Sequence, residues 1–91
     1  MTLEELYSII DTRRKDKPLG SYTASLMNSG EDRMIQKVGE EAVEVIISAK
    51  NNDRRRTISE SADLLYHLMV LLYTQNITLE NIYAELEKRR K

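Results

Sequence analysis

Residues 64–73 read LLYHLMVLLY, and this stretch decides the fold. Placed on a helix, it is apolar on nearly every side, and its one polar interruption is His67. A helix that is hydrophobic all round has to be buried all round. The run has about half of the ~20 residues that a bilayer-spanning helix needs, so it predicts a buried helix and not a membrane segment.

The length of the chain limits how such a helix can be buried. A domain of 91 residues has a modest core and few elements with which to surround one helix. We therefore predict a bundle of four to five helices that a second subunit completes, giving a homodimer or a dimer of dimers. The alternative is a central helix that its own chain wraps.

The composition favours the same all-α fold. Hydrophobic residues make up 41% of the chain, and the aromatic residues are five Tyr without Phe or Trp. Three Gly and one Pro leave few turn signals, which disfavours a β-rich fold with many turns. The length suits a single domain over residues 1–91.

Apolar residues at helical spacing predict where the helices lie. The first helix follows Thr2, which forms a capping-box pattern with Glu5. On the last helix, capped by Thr78, the periodicity predicts inward-facing Leu79, Ile82, Tyr83 and Leu86. The segments between them are predicted at residues 21–27, 31–50 and 54–74.

The overall charge excludes several classes of function. Fourteen Lys and Arg face fifteen Asp and Glu, so a dedicated nucleic-acid or polybasic membrane binder is disfavoured. The absence of Cys excludes disulfides, thiol nucleophiles and Cys-ligated zinc. Glu4 and Glu5 interrupt the first apolar residues, which therefore lack the pattern of a signal peptide. We expect a cytoplasmic protein whose partners include neither nucleic acid nor a membrane.

Five acidic residues stand at paired helical spacing on the third and fourth predicted helices. At ~3.6 residues per turn, Glu41 and Glu44 project from one face of the third helix, and Glu60 and Asp63 project from one face of the fourth. Buried carboxylates need compensating cations, and Lys37 alone cannot neutralise five acids, whereas a divalent metal can. The alternatives are a solvated acidic face and, for the fourth helix, a capping box over residues 57–60. The five acids are Glu40, Glu41, Glu44, Glu60 and Asp63.

The ligand types narrow the choice of metal. Carboxylates without Cys or clustered His favour Mg²⁺ or Mn²⁺ over zinc, and the Glu-x-x-His pairs of di-iron bundles are absent. Mg²⁺ held by few carboxylates keeps waters and binds substrate phosphates. The pattern therefore predicts hydrolysis of a phosphate ester or pyrophosphate, with the metal lowering the pKa of a bound water. Because no Gly-rich phosphate loop is present, basic side chains must help to hold any triphosphate.

Two stretches resemble the phosphoribosyl-ATP pyrophosphohydrolase family. Residues 37–47 read KVGEEAVEVII and residues 60–68 read ESADLLYHL. Together they match the E-E-x-x-E, spacer, E-x-x-D signature of the all-α NTP pyrophosphohydrolases, also called MazG-like. Ser21-Tyr22-Thr23 and the Tyr66-His67 pair point to the phosphoribosyl-ATP branch. The resemblance covers residues 3–89.

The resemblance implies a function and a set of site residues. The expected reaction is Mg²⁺-dependent hydrolysis of 1-(5-phosphoribosyl)-ATP to 1-(5-phosphoribosyl)-AMP and pyrophosphate, the second step of histidine biosynthesis. The cyclohydrolase that is fused to this domain in many organisms relies on Cys-bound zinc, which this chain cannot supply. The implied catalytic residues and metal ligands are Glu41, Glu44, Glu60 and Asp63, with Glu40 in support.

Other side chains are candidates for binding the substrate, and each has a plain structural alternative. Lys37 can simply pair with Glu41, and Lys50 can stabilise a helix C-terminus. Arg33 can be solvated, and His67 can be a hydrogen-bonded core residue. Ser21 and Tyr22 can serve only to start a helix. The candidates are Lys37, Arg33, Lys50, His67, Ser21 and Tyr22.

Three competing functions remain open at this point. A house-cleaning nucleotide pyrophosphohydrolase shares the carboxylate set. A non-enzymatic dimerisation module explains the apolar fourth helix but not the paired acids. A nucleic-acid binder using Arg54, Arg55 and Arg56 requires salt-dependent binding that the balanced charge disfavours.

Overall fold

The computed structural model describes residues 1–91 as five helices without strands. The all-α prediction is therefore confirmed, and the predicted bounds of the third and fourth helices agree with the structure. The α3–α4 hairpin, closed by three residues, forms the most extensive helix pair. The helices are α1 (Leu3–Asp16), α2 (Tyr22–Asn28), α3 (Glu31–Lys50), α4 (Arg54–Thr74) and α5 (Leu79–Lys88).

Short side chains cap four of the five helices, and only α3, which follows Gly30, begins without a side-chain cap. The Thr2 hydroxyl accepts the Glu5 amide at 3.1 Å, but the full capping box forms on α5, between Thr78 and Asn81. Asp53 caps α4 by accepting the Arg56 amide at 3.1 Å. The alternative that placed a helix start at residues 57–60 is therefore wrong, because α4 already begins at Arg54.

All five helices contribute to one small hydrophobic core. It lies where α1, α2 and the second half of α4 meet the first turns of α3 and α5. This packing fixes α2 against α4, an arrangement that matters for the site described below. The buried hydrophobic residues are Ile10, Leu26, Met27, Met34, Met69, Val70 and Leu79.

The remaining part of the α3–α4 hairpin leaves apolar side chains in solvent. Ile46 on α3 is 65% exposed, and Val43 is also exposed. On α4, Leu65 is 44% exposed and Ile58 is exposed as well. The chain therefore does not surround its own fourth helix, and the alternative of a helix wrapped by a single chain is wrong.

The predicted inward face of α5 is wrong in its second half. Leu79 is buried and Ile82 is half-buried, but Tyr83 and Leu86 are exposed. After the first turn of α5 the packing loosens: Tyr83 reaches α1 only through its hydroxyl, which donates to Glu4 at 2.6 Å, and Leu86 is 60% exposed. No helix combines the length and the apolar character that crossing a membrane requires.

Candidate active site

Three carboxylates from two helices meet at one place on the α3–α4 hairpin. Glu41 comes from α3, and Glu60 and Asp63 come from α4. One carboxylate oxygen of each lies within 4.8 Å of the others. Glu41 and Glu60 are half-buried and Asp63 is exposed, so the cluster borders solvent. Three of the four predicted metal ligands are thus brought together.

Negative charge accumulates at this cluster. Burial raises the pKa of Glu60, and the charges of Asp63, Glu41 and Glu44 raise it further, while Arg56 opposes the shift. A cation bound at the cluster relieves this repulsion, and carboxylate oxygens are the hard ligands that Mg²⁺ and Mn²⁺ prefer. The donor set therefore fits a divalent cation of that class.

The fourth predicted ligand, Glu44, forms an ion pair with Arg56 and is not among the three clustered carboxylates. Arg56 Nη2 lies 3.1 Å from Glu44 Oε2 and 3.8 Å from Glu60 Oε1. From the sequence, residues 54–56 were considered only as a nucleic-acid-binding run, and these contacts of Arg56 were not predicted. The four-residue spacing from Arg56 to Glu60 is the signal that could have indicated the contact with Glu60.

Lys37 supplies positive charge on the α3 side of the cluster. Its Nζ lies 3.3 Å from Glu41 Oε1 and 3.6 Å from Glu40 Oε2. Burial acts to lower the pKa of Lys37, but the hydrogen bond to Glu41 and the nearby negative charges outweigh it and raise the pKa. Glu40 also accepts a hydrogen bond from Gln36 at 2.9 Å. Glu40 therefore pairs with Lys37, which also pairs with Glu41. Glu40 itself is not one of the clustered carboxylates.

His67 joins α2 to the helix that carries two of the carboxylates. It is 6% exposed, its Nδ1 lies 2.7 Å from the Asp63 carbonyl oxygen, and its Nε2 lies 3.0 Å from the Tyr22 hydroxyl. Because a carbonyl only accepts, Nδ1 donates and the Tyr22 hydroxyl donates to Nε2. His67 thus contacts the backbone of Asp63 and not its carboxylate. The neighbouring Thr23 and Tyr66 hydroxyls hydrogen-bond each other across the same pair of helices.

Comparison with known proteins identifies the family. The sequence model of the phosphoribosyl-ATP pyrophosphohydrolase family matches residues 3–90. This chain belongs to that family. The assignment made from the paired acidic motifs is confirmed, and with it the prediction of a hydrolase that acts on phosphoanhydride bonds.

Curated relatives agree over nearly the whole chain. The phosphoribosyl-ATP pyrophosphatase of Saccharolobus solfataricus is 49% identical over 89 residues, covering 98% of this chain and 95% of the relative. That of Metallosphaera sedula is 49% identical, with 98% and 96% covered. That of Clostridium botulinum is 51% identical over 90 residues, covering 98% of this chain and 81% of the relative.

Three further residues of this pyrophosphohydrolase-family chain were predicted to bind the substrate, and the structure gives each a different setting. Ser21 caps α2 by accepting the Ala24 amide at 3.2 Å, which is the helix-start role. Arg33 is exposed and forms no ion pair. Lys50 lies about 13 Å along α3 from Glu41, at 1.5 Å per residue, so the structure does not bring it to the cluster.

Proposed function

We propose that this chain hydrolyses 1-(5-phosphoribosyl)-ATP between its α- and β-phosphates, releasing 1-(5-phosphoribosyl)-AMP and pyrophosphate, with Mg²⁺ or Mn²⁺ as cofactor. The observation that carries the proposal is the cluster of Glu41, Glu60 and Asp63, whose oxygens lie within 4.8 Å of one another. Relatives about as long as this chain and 49% identical to it are named phosphoribosyl-ATP pyrophosphatases, which supports the choice of substrate. The reaction is the second step of histidine biosynthesis.

The acidic side chains would hold the cofactor. Glu41, Glu60 and Asp63 would ligate it, and Glu44 is a fourth candidate whose carboxylate is engaged by Arg56. A divalent cation at such a site neutralises polyphosphate charge and lowers the pKa of a bound water.

The chain's own residues would perform the proton transfer and hold the phosphates. Water adds to phosphorus while the bridging P–O bond breaks, and a carboxylate of the cluster accepts the proton that water loses. The ammonium group of Lys37 has three donors and forms ion pairs with Glu40 at 3.6 Å and Glu41 at 3.3 Å. We propose that this group also donates to a phosphate oxygen of the substrate.

We further propose that a second copy of the chain covers the exposed apolar side chains of the α3–α4 hairpin. Val43, Ile46, Ile58 and Leu65 are exposed on the two helices that also carry the acidic cluster. Burying such side chains is worth about 25 cal/mol per Å² of apolar surface, so a matching copy gains most from this face. This supports a homodimer, or a dimer of dimers.

A substrate panel tests the proposed reaction. The purified chain is incubated with Mg²⁺ and either phosphoribosyl-ATP or individual dNTPs, and pyrophosphate release is measured. We expect phosphoribosyl-ATP to be hydrolysed fastest, and no hydrolysis after chelation of the metal. Faster turnover of dNTPs would overturn the proposal in favour of a house-cleaning pyrophosphohydrolase. Folded chain without any hydrolysis would favour a dimerisation module.

A further inference from the structure

A second concave site lies outside the carboxylate cluster, between the C-terminal end of α1 and helix α2. Its volume is about 540 Å³. Small-molecule sites typically measure roughly 300–1,000 Å³, so this cleft is large enough to receive part of a nucleotide-sized ligand.

The cleft is lined by positive charge. Arg13, Arg14 and Lys17 border it, together with the polar side chains of Ser25 and Asn28. None of the three cations forms an ion pair with a carboxylate of the chain. Basic residues near a helix C-terminus also interact favourably with the helix dipole, which explains their position on α1. The helix dipole explains the positive charge on α1, but it does not explain why Ser25 and Asn28 on α2 border the same cleft.

The cleft adjoins the candidate active site through α2 and α4. Ser21 borders the cleft, and the next residue, Tyr22, donates its hydroxyl to His67 at 3.0 Å. His67 in turn contacts the Asp63 carbonyl oxygen at 2.7 Å, so a continuous chain of contacts joins the cleft to the segment of α4 that carries Asp63.

The proposed substrate carries two separate anionic ends. Its triphosphate is the reacting end, and its second ribose bears a phosphomonoester on the far side of the adenine. Arginine binds phosphate bidentately through its planar guanidinium group, and unpaired cations are the partners that such a dianion needs. We infer that the cleft binds the phosphomonoester of the phosphoribosyl arm while the triphosphate lies at the carboxylates, an inference that rests on the proposed function.

A comparison of two substrates tests this inference. The first is phosphoribosyl-ATP, and the second is the same molecule without its 5-phosphate on the added ribose. The variants are Arg13→Gln and Arg14→Gln, and Arg90→Gln, just beyond the C-terminal end of α5, is the matched control because Arg90 pairs with Glu87 and does not line the cleft. Circular dichroism and Tm show that each variant is folded.

The expected result is a loss of discrimination between the two substrates. The wild-type KM should be lower for phosphoribosyl-ATP than for the dephosphorylated compound by about tenfold, as removal of a charged hydrogen bond predicts. In Arg13→Gln and Arg14→Gln the KM for phosphoribosyl-ATP should rise towards that of the dephosphorylated compound, which itself should change little. An equal rise for both compounds would assign the cleft to the triphosphate and overturn the inference, as would unchanged KM values.

A binding experiment separates this inference from the proposed reaction. Ribose 5-phosphate is titrated into the wild type and Arg13→Gln, and chemical shifts of the α1 and α2 amides are followed by NMR. Saturable shifts around the cleft that weaken in Arg13→Gln would support a phosphomonoester site even if the substrate panel showed no hydrolysis. Shifts that are absent, or unchanged by the substitution, would overturn the site even if phosphoribosyl-ATP were hydrolysed.

Discussion

The guanidinium group of Arg56 lies 3.1 Å from the carboxylate of Glu44, the one predicted metal ligand that is not among the clustered carboxylates. The same nitrogen lies 3.8 Å from Glu60. Arg56 therefore approaches two of the four predicted metal ligands. A divalent cation bound by these residues would compete with the guanidinium group for their carboxylates.

This competition predicts that Arg56→Gln binds divalent cations more tightly than the wild type. Half-exposed ion pairs are worth about 0.2–1 kcal/mol, so the gain in Mn²⁺ or Mg²⁺ affinity should be about twofold to fivefold. Calorimetric titration without substrate measures it. Arg55→Gln is the matched control, because Arg55 is exposed and forms no ion pair. Unchanged or weaker affinity in Arg56→Gln would show that the pair does not compete with the metal.

Substitution of the clustered acids should separate activity from folding. Glu60→Gln and Asp63→Asn each remove a proposed metal ligand, so we expect pyrophosphate release to fall by at least about 100-fold. Because each substitution also removes one of several mutually repelling charges, the Tm of the metal-free protein should stay the same or rise. Glu80→Gln on α5 controls for the removal of one charge, because Glu80 is exposed and forms no ion pair. Retained activity in both variants would exclude the cluster as the reaction site.

A pH-dependent contribution to stability is expected from Asp11. The hydrogen bond from Tyr73, whose hydroxyl lies 2.5 Å from Asp11 Oδ1, lowers the pKa of Asp11, and Lys15 lowers it further. A lowered pKa in the folded state means that the charged carboxylate stabilises folding above its ordinary pKa of 3.8, and that this contribution is lost at more acidic pH.

Asp11→Asn should therefore lower the Tm at pH 7, and the difference from the wild type should shrink as the pH falls below 3.8. Thermal unfolding followed by circular dichroism across this range measures the effect. Asp16→Asn, at the exposed end of the same helix, provides the control. A Tm difference that is constant with pH would show that the Asp11 carboxylate contributes no charge-dependent stability.

Features that depend on neighbours in sequence were predictable, and features that depend on other helices were not. The bounds of α3 and α4 follow from local caps and apolar periodicity, as does the shared face of Glu60 and Asp63. The ion pair between Glu44 and Arg56 depends on the register of α3 against α4, which neighbours in sequence do not set. Likewise, periodicity places Leu79 and Leu86 on one stripe of α5 but does not say where another element lies opposite.

The exposed side chains of the α3–α4 hairpin predict how the assembly can be disrupted. Ile46 is 65% exposed and Leu65 is 44% exposed in the single chain, on the two helices of the hairpin. If a second copy buries them, Ile46→Glu or Leu65→Glu places a charge without a partner inside that interface, which costs several kcal/mol.

We therefore expect both variants to be monomeric where the wild type is dimeric or larger, as measured by light scattering after size-exclusion chromatography. Leu86→Glu is the matched control, because Leu86 is a similarly exposed leucine on α5, outside the hairpin face. If Leu86→Glu dissociates the assembly and the hairpin variants do not, the interface lies on α5. A wild type that is monomeric at all concentrations would remove the second copy from the proposal and leave the apolar face uncovered.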